Sequence, residues 1–505
     1  MPGTSLKDIR LDKKRLGLYL GPLLFGLIVL MPEPQSMVAA ANSVGAGALE
    51  PQIALGVMVW VLVWWITECV PLGLAALVVP LVFCMSGIID WNTALSSFTN
   101  PIIWIFMAGF TLAAAFKKWE LDRRVSVKLA SVYKGSNPMV AALFVCCLPV
   151  FLLTLTGSIT ASTSVVFPFL IAYLAMLNIK TDSRYSTACM LALAQAATAG
   201  AMLLLISTPP NLIAKGTIQE MPGNLDLTFF DWLIVGTPHA IIGLLISWFV
   251  VFKVIKPEMK TLDIDRSRLE SAKKCFGPMC RGEKVVLGIL IVAITLWMLP
   301  SIVKVIAEGN AGMAGISNLM TQVMPEAMPA VLIILAAGLL RVKKEPVLRW
   351  NEIVEGIDWN VVFLFGGGIA LGIGLEASGF ARWIADGAAA SIGANASAWM
   401  IFAVSCLIGF VLSYAASNTA AALISCPIAA SLAMGAMVSP VPPIIGAALA
   451  CSISSAIPST TPPMAIIYSS GKVKIWDMLK VGLISDALRL TVLIAIGPLL
   501  TGLII

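Results

Sequence analysis

The sequence predicts an all-α polytopic membrane protein, with about 11 transmembrane helices and two re-entrant helical hairpins in an inverted repeat. Three observations carry that reading. Apolar runs of about 20 residues, the length that crosses a bilayer, recur from end to end of the 505-residue chain. Hydrophobic residues make up 59% of it and charged residues 12%, where soluble proteins carry about 25% charged residues, and the mean hydropathy is +0.94. Finally, 29 of the 33 Lys and Arg fall in alternate connecting segments. A soluble enzyme and a disordered chain are excluded, because the residues for a charged surface are missing. A transmembrane β-barrel would show alternating segments of about 10 residues, and none is present.

The spans read, in order, as 16–31, 52–70, 72–89, 102–116, 186–206, 231–252, 285–303, 328–340, 359–378, 443–457 and 481–503. Residues 1–31 also have the basic start and short apolar stretch of a signal peptide, but retention as the first span fits a polytopic chain better. Lys and Arg cluster in 1–16, 117–136, 177–186, 253–284, 341–357 and 469–480, whereas the intervening loops hold only Lys304 and Arg382. Cytoplasmic loops are the basic ones. The N-terminus is therefore expected inside and, after an odd number of crossings, the C-terminus outside. The net charge of +6 follows from this distribution and does not indicate a nucleic-acid partner.

Two apolar segments do not fit a single crossing. Segment 138–177 has basic residues on both flanks, Lys134 and Lys180, so it must enter and leave on one side. Its centre, Thr154-Leu155-Thr156-Gly157-Ser158-Ile159-Thr160-Ala161-Ser162-Thr163-Ser164, is rich in hydroxyls and reads as the tip of a hairpin. Non-helical backbone at membrane depth persists only where it is buried in protein or lines a cavity. Segment 398–433, centred on Ser413 and Ser417-Asn418-Thr419, behaves the same way from the opposite side. The tips overlay with Thr154 on Ser413, Ser158 on Ser417 and Thr160 on Thr419. A second pair supports the first: Ser207-Thr208-Pro209-Pro210 and Thr460-Thr461-Pro462-Pro463 each break a span after a hairpin. Ser and Thr in membrane helices often only bond to backbone carbonyls, and a lone Thr-Pro-Pro is usually a kink. Two matched features in each of two inverted halves are the mark of a secondary transporter, with its site near the midplane.

The tips and breaks contain no Lys, Arg, Asp or Glu. Each tip places Ser, Thr or Asn just before a helix, where free N–H groups and the positive dipole end favour a small anion. Carbonyls freed at the breaks, with hydroxyl or Asn oxygens, suit a hard cation such as Na⁺. A nearby cation would offset the anion's charge in low dielectric. The residues thus point to cation-coupled transport of a small anion.

The Ser417-Asn418-Thr419 tip, the Thr208-Pro209-Pro210-Asn211 and Thr461-Pro462-Pro463 breaks, and the Trp64-Trp65-Ile66-Thr67-Glu68 turn resemble those of the divalent anion:sodium symporters, over essentially the whole chain. That resemblance implies transport of dicarboxylates, citrate or sulfate, most simply Na⁺-coupled uptake of C4-dicarboxylates. It also implies a homodimer and an elevator mechanism in a bacterial inner membrane. The implied units are scaffold helices in 1–136, a first transport half in 137–254, a cytoplasmic basic linker in 255–284, scaffold helices in 285–390 and a second transport half in 391–505. It puts one Na⁺ at Thr154, Ser158 and the backbone around Ser207, and another at Ser413, Ala416, Asn418 and the backbone around Thr460. Substrate carboxylates would meet Ser158, Thr160, Thr208, Asn418, Thr419 and Thr461, with Pro209 and Pro462 at the same helix starts.

One departure stands out. The family's first tip reads Ser-Asn-Thr, and here it is Ser158-Ile159-Thr160. Ile159 offers no amide oxygen to Na⁺ and no donor to substrate, so Thr154, Thr156, Ser162 and Thr163 are the neighbours that could compensate. Sodium-independent dicarboxylate exchange and transport of sulfate or another inorganic anion are therefore the alternatives.

The remaining polar residues read as structural. Asp486 and Arg489 are three apart on one helix face and can pair. Glu68 lies in a short turn, Lys215 at a solvated helix end, and the single histidine, His239, as a packed polar residue. Most of the ten cysteines sit in apolar runs, and Cys275 and Cys280 form only a weak metal motif. No nucleophile–base or metal set for an enzyme is evident, and a channel would need a continuous polar pore where only local tips are found.

Overall fold

Helix is the only open-ended structure that satisfies its own backbone in hydrocarbon, and the apolar runs are mostly helical. The computed structural model describes residues 13–504 apart from 181, 222–225, 263–276, 309–312, 326 and 393–396. The basic residues of positions 1–12, much of the basic linker 255–284 and Cys275 lie outside the described residues. Among the described residues, ten helices are long and apolar enough to cross a membrane, or eleven if Lys14–Leu30 and Gln35–Val44, bent by 87°, count as one span.

The ten are not the spans expected from hydropathy. Four are hairpin arms, Pro138–Thr156, Ile159–Met176, Ala398–Ala415 and Asn418–Gly435, each long enough to cross alone. Their connections distinguish them. The arms of each pair pack side by side and are joined by only a short reversal, at Gly157–Ser158 and at Ala416–Ser417. Conversely, the run 72–89 splits into Leu72–Ala76 and Val78–Met85, and the run 443–457 is helical only as far as Cys451. Helices also occupy segments expected to be loops, among them Gln35–Val44, Ala314–Val323 and Phe380–Ile392. The first of these buries only Met37, Ala40 and Ala41. A short helix with one apolar stripe does not register as a run. A two-residue ladder, Arg341–Val342 with Glu345–Pro346, adds a small hairpin, and Lys343 and Lys344 supply the positive φ that its turn needs.

The order of elements repeats. Pro101–Lys118, Leu121–Ala130, the first hairpin, Arg184–Gly200, Pro209–Gln219 and Phe229–Val254 are matched by Trp359–Ala377, Phe380–Ile392, the second hairpin, Val441–Cys451, Pro462–Ser469 and Ile475–Thr501. Backbone details repeat with them. Asn100 and Asp358 cap the matched helices Pro101–Lys118 and Trp359–Ala377 with their side chains. Glu120 and Gly379, and again Asn178 and Met437, are left-handed residues 259 positions apart, the same spacing as Ser158 and Ser417.

The centre of the packing is Arg184–Gly200, buried from Tyr185 to Gly200. Its Ala, Gly, Ser and Thr side chains allow the close approach that membrane helices use in place of a hydrophobic drive. It packs against the first hairpin, against Phe229–Val254 and, across the repeat, against Pro462–Ser469. The second break is thereby held next to the first.

Candidate functional site

Both hairpin tips and both proline breaks line one cavity of about 560 Å³. At the first tip, Gly157 turns the chain with φ +92°. A Cβ there would come within 2.9 Å of the Gly109 Cα, so only glycine fits. Ser158 then caps the helix Ile159–Met176, its Oγ accepting from the Ala161 N–H at 3.1 Å. Ser417 caps Asn418–Gly435 in the same way, from the Ala420 N–H at 3.3 Å. Ile159 and Asn418 are thus the first residues of matched helices, Thr160 and Thr419 the second. Backbone N–H groups in a first helical turn have no intrahelical acceptor and are available to a ligand.

The breaks differ from the tips. Thr208 and Thr461 are extended N-caps, with φ −156° and −143°, and neither side chain caps its helix. Pro209-Pro210 and Pro462-Pro463 follow, and proline has no N–H. These helix starts offer a ligand hydroxyls and carbonyls, not amide donors.

Of the residues expected at the site, the cavity is lined by Ser158 and Thr160 of the first tip, Ser207, Thr208 and Pro209 of the first break, Asn418 and Thr419 of the second tip, and Thr460 and Pro462 of the second break. Four expected residues lie behind this surface. Thr154 is fully buried, its Oγ1 2.7 Å from the Phe151 carbonyl and 2.9 Å from the Gly200 carbonyl, joining the first hairpin to the helix before the first break. Ser413 donates to the Phe410 carbonyl. Ala416 and Thr461 are buried, and the Thr461 hydroxyl has no partner among the described residues. Of the neighbours expected to compensate for Ile159, Thr156 and Ser162 line the cavity, whereas Thr163 is buried and bonds to the Ile159 carbonyl.

Several lining residues escaped sequence reading. Lys117, Asp122 and Asp358 bring charge to the cavity, and Phe110, Phe116 and Leu364 give it an apolar wall. They come from segments far from the tips. Only the pairing of a basic turn after one helix with a capped start of its repeat mate could have signalled them. Burial pushes the Asp122 carboxyl above the usual carboxylate range, although the Arg123 amide bonded to it pulls the other way.

Two sequence expectations are overturned. Lys215 is not at a solvated helix end: it is 2% exposed, and its Nζ donates to Asp226 and to the Leu227 carbonyl, each at 2.7 Å. The chain returns over the helix end and seals it. Asp486 and Arg489 do not form a direct ion pair. The Asp486 carboxylate accepts from the Tyr414 hydroxyl at 2.6 Å, the Ser455 N–H at 2.6 Å and the Ser455 hydroxyl. Arg489 donates to Thr198 at 2.9 Å and to the Ile453 carbonyl at 3.4 Å. Donors from the unwound second break are nearer to the acid than its helix neighbour. Glu68 is an exposed left-handed helix end, as a turn residue should be.

A bundle of membrane helices whose paired hairpin tips and broken helices surround one internal cavity has the build of a secondary transporter. The family described as the sodium:sulfate symporter transmembrane region matches residues 13–504, so the chain belongs to that family, the divalent anion:sodium symporters. It is 28% identical over 496 residues to the sodium-dependent dicarboxylate transporter SdcS of Staphylococcus saprophyticus, covering 95% of this chain and 90% of that one. It is 29% identical over 501 residues to SdcS of Staphylococcus aureus, covering 96% and 92%. The solved structure of Neisseria gonorrhoeae MtrF, described as illuminating a class of antimetabolite efflux pumps, superposes with a TM-score of 0.52 over 83% of each chain at 16% identity. That likeness is one of fold.

Proposed function

We propose that the cavity takes up a C4-dicarboxylate such as succinate, malate or fumarate together with Na⁺. The observation that carries this reading is the convergence of two serine-capped helix starts on one cavity that also receives two proline breaks. Hydroxyls and amide donors of Ser158, Thr160, Asn418 and Thr419 bind the carboxylates, with Thr208 and Thr461 at the breaks. Na⁺ is held by oxygens of Thr154, Ser158 and Ser207 in the first half, and of Ser413, Ala416, Asn418 and Thr460 in the second. The relatives named above, both sodium-dependent dicarboxylate transporters, support this assignment. So does the cavity's size, within the range of about 300–1,000 Å³ usual for organic ligands and generous for sulfate.

Lys117, Asp122 and Asp358 line the cavity from segments on the basic, cytoplasmic side, so the cavity faces inward in this arrangement, with the N-terminus inside and the C-terminus outside. Transport then moves the hairpins and broken helices as an elevator against the remaining helices, in a homodimer in the plasma membrane. A second reading, sodium-independent exchange, is favoured by one residue: Ile159 lines the cavity where the other tip presents Asn418.

The test is thermal unfolding of the purified protein with and without succinate, in Na⁺ and in choline. Stabilisation by succinate only in Na⁺ supports coupled binding. Equal stabilisation in both salts contradicts it and favours the exchanger.

A further inference from the structure

We propose that a small cavity behind the substrate site, between Phe229–Val254 and Ile475–Thr501, binds a monatomic anion, chloride under ordinary conditions. Arg489 and His239 line it, with Met202, Ile242, Gly243 and Ile453 among the other walls. Both side chains are deeply buried, at 3% and 4% exposure. The guanidinium uses Nη1 for Thr198 and the Ile453 carbonyl, while its Nε and Nη2 have no partner among the described residues. The Nε2 of His239 has none either. Two lining residues thus carry three nitrogens without a partner among the described residues.

Gly243 is what leaves the guanidinium edge open. A Cβ on it would stand 3.2 Å from the Arg489 Nε. No carboxylate lines the cavity, and Asp486, one turn away, is occupied by Tyr414 and Ser455. A buried guanidinium without a contacting anion is costly, and its planar N–H edge matches an acceptor that has no protons of its own. The occupant is small. The cavity leaves about 10 Å³ for the centre of a water-sized sphere, which excludes a dicarboxylate and leaves room for one small ion at most. The Arg489 charge, which Asp486 offsets only through space and not by contact, favours a halide over water.

The site touches both halves, because Thr198 precedes the first break and Ile453 lies in the second. An anion there neutralises Arg489 while it holds the two breaks together.

The test uses the purified full-length protein without succinate. Thermal unfolding is followed in NaCl, NaBr and sodium gluconate at equal Na⁺. The expected result is a melting temperature higher by several degrees in chloride and bromide than in gluconate, lost in Arg489→Gln. Should that variant not fold, Gly243→Ala, which narrows the cavity against the guanidinium, must abolish the same halide dependence. Bromide-soaked crystals should give an anomalous peak between Arg489 and His239. Equal melting temperatures in the three salts, a halide effect that survives Gly243→Ala, or water without anomalous signal at that position would each overturn the proposal. None of these readouts depends on transport, so the outcome is independent of the substrate and coupling ion.

Discussion

The two halves of the molecule build the same pair of features with their asparagines exchanged. In the first half the tip lacks an amide, at Ile159, and the break has one, at Asn211. Its Nδ2 donates to the Ala201 and Leu204 carbonyls at 2.8 and 2.9 Å and pins the unwound segment. In the second half the tip has the amide, Asn418, within 3.3 Å of Ser454 Oγ in the break, and the residue matching Asn211 is Met464. There the break is held from outside the motif, by Asp486 on the last helix. The lesson is that an unwound segment needs a polar anchor, but not from a fixed position. The halves share a backbone solution and differ in which side chain supports it. Only the second half therefore presents a side-chain amide at its tip, where a cation or a carboxylate would meet it.

This comparison can be broken at each anchor. Asp486→Ala should have the largest effect, because it frees the Ser455 N–H and the Tyr414 hydroxyl in a buried setting and removes the acid nearest to Arg489 on its helix. Each buried donor left unpaired costs about 1–3 kcal/mol, and the sum is read as a sharply lower melting temperature. Retention of wild-type stability would mean that the second break does not depend on this anchor. Asn418→Ala should follow. Hydrogen bonds to charged groups are worth about 1.5–3 kcal/mol, so the apparent affinity for Na⁺ or succinate should fall by about 10–100-fold, with folding intact by gel filtration. Asn211→Ala removes both of these bonds and leaves the Ala201 carbonyl unpaired, whereas the Leu204 carbonyl keeps the Ser207 N–H, at a cost of about 1–3 kcal/mol. Its signature is lower stability with a smaller change in affinity than Asn418→Ala, which is the reverse balance.

Ile159→Asn sharpens the comparison instead of breaking it. It gives the first tip the amide of the second, and the sodium dependence of uptake or the preference among dicarboxylates should change. Unchanged curves for both would show that the first tip does not contact ion or substrate through this position. The smallest effect belongs to Asp122→Asn. Burial raises this carboxyl in the folded state, so the folded protein holds the proton more tightly than the unfolded chain. The destabilising contribution grows as pH rises from the ordinary carboxylate value through the raised one, and is complete above it. Asparagine removes that contribution, so a plot of melting temperature against pH should flatten in this range. Loss of a negative charge from the cavity should also tighten dianion binding slightly at low salt.

Much of the fold was legible because hydrocarbon imposes length and polarity on each span, and because two unusual local motifs occur twice. Ser158 with Ser417, and Thr208 with Thr461, are recognisable from a handful of neighbours, and the members of each pair have like positions at a helix start. What depended on distant chain was not legible. The helices Gln35–Val44 and Phe380–Ile392 are amphipathic, and they pack on each other. The burial of Lys215 requires Asp226 and Leu227 to fold back over it. The three-residue spacing of Asp486 and Arg489 was visible, but their choice of Ser455, Tyr414 and Thr198 over each other was not. Lys117 and Asp358 likewise reach the cavity only through tertiary packing.

The most direct test of the central claim, one cavity serving a dicarboxylate and Na⁺ together, is labelled succinate uptake into proteoliposomes. It is run with an inward Na⁺ gradient, and again without Na⁺ but with succinate inside. The account predicts accumulation in the first condition and none in the second. Uptake only in the second would contradict Na⁺ coupling and make the molecule an exchanger, with Ile159 as the residue to examine next.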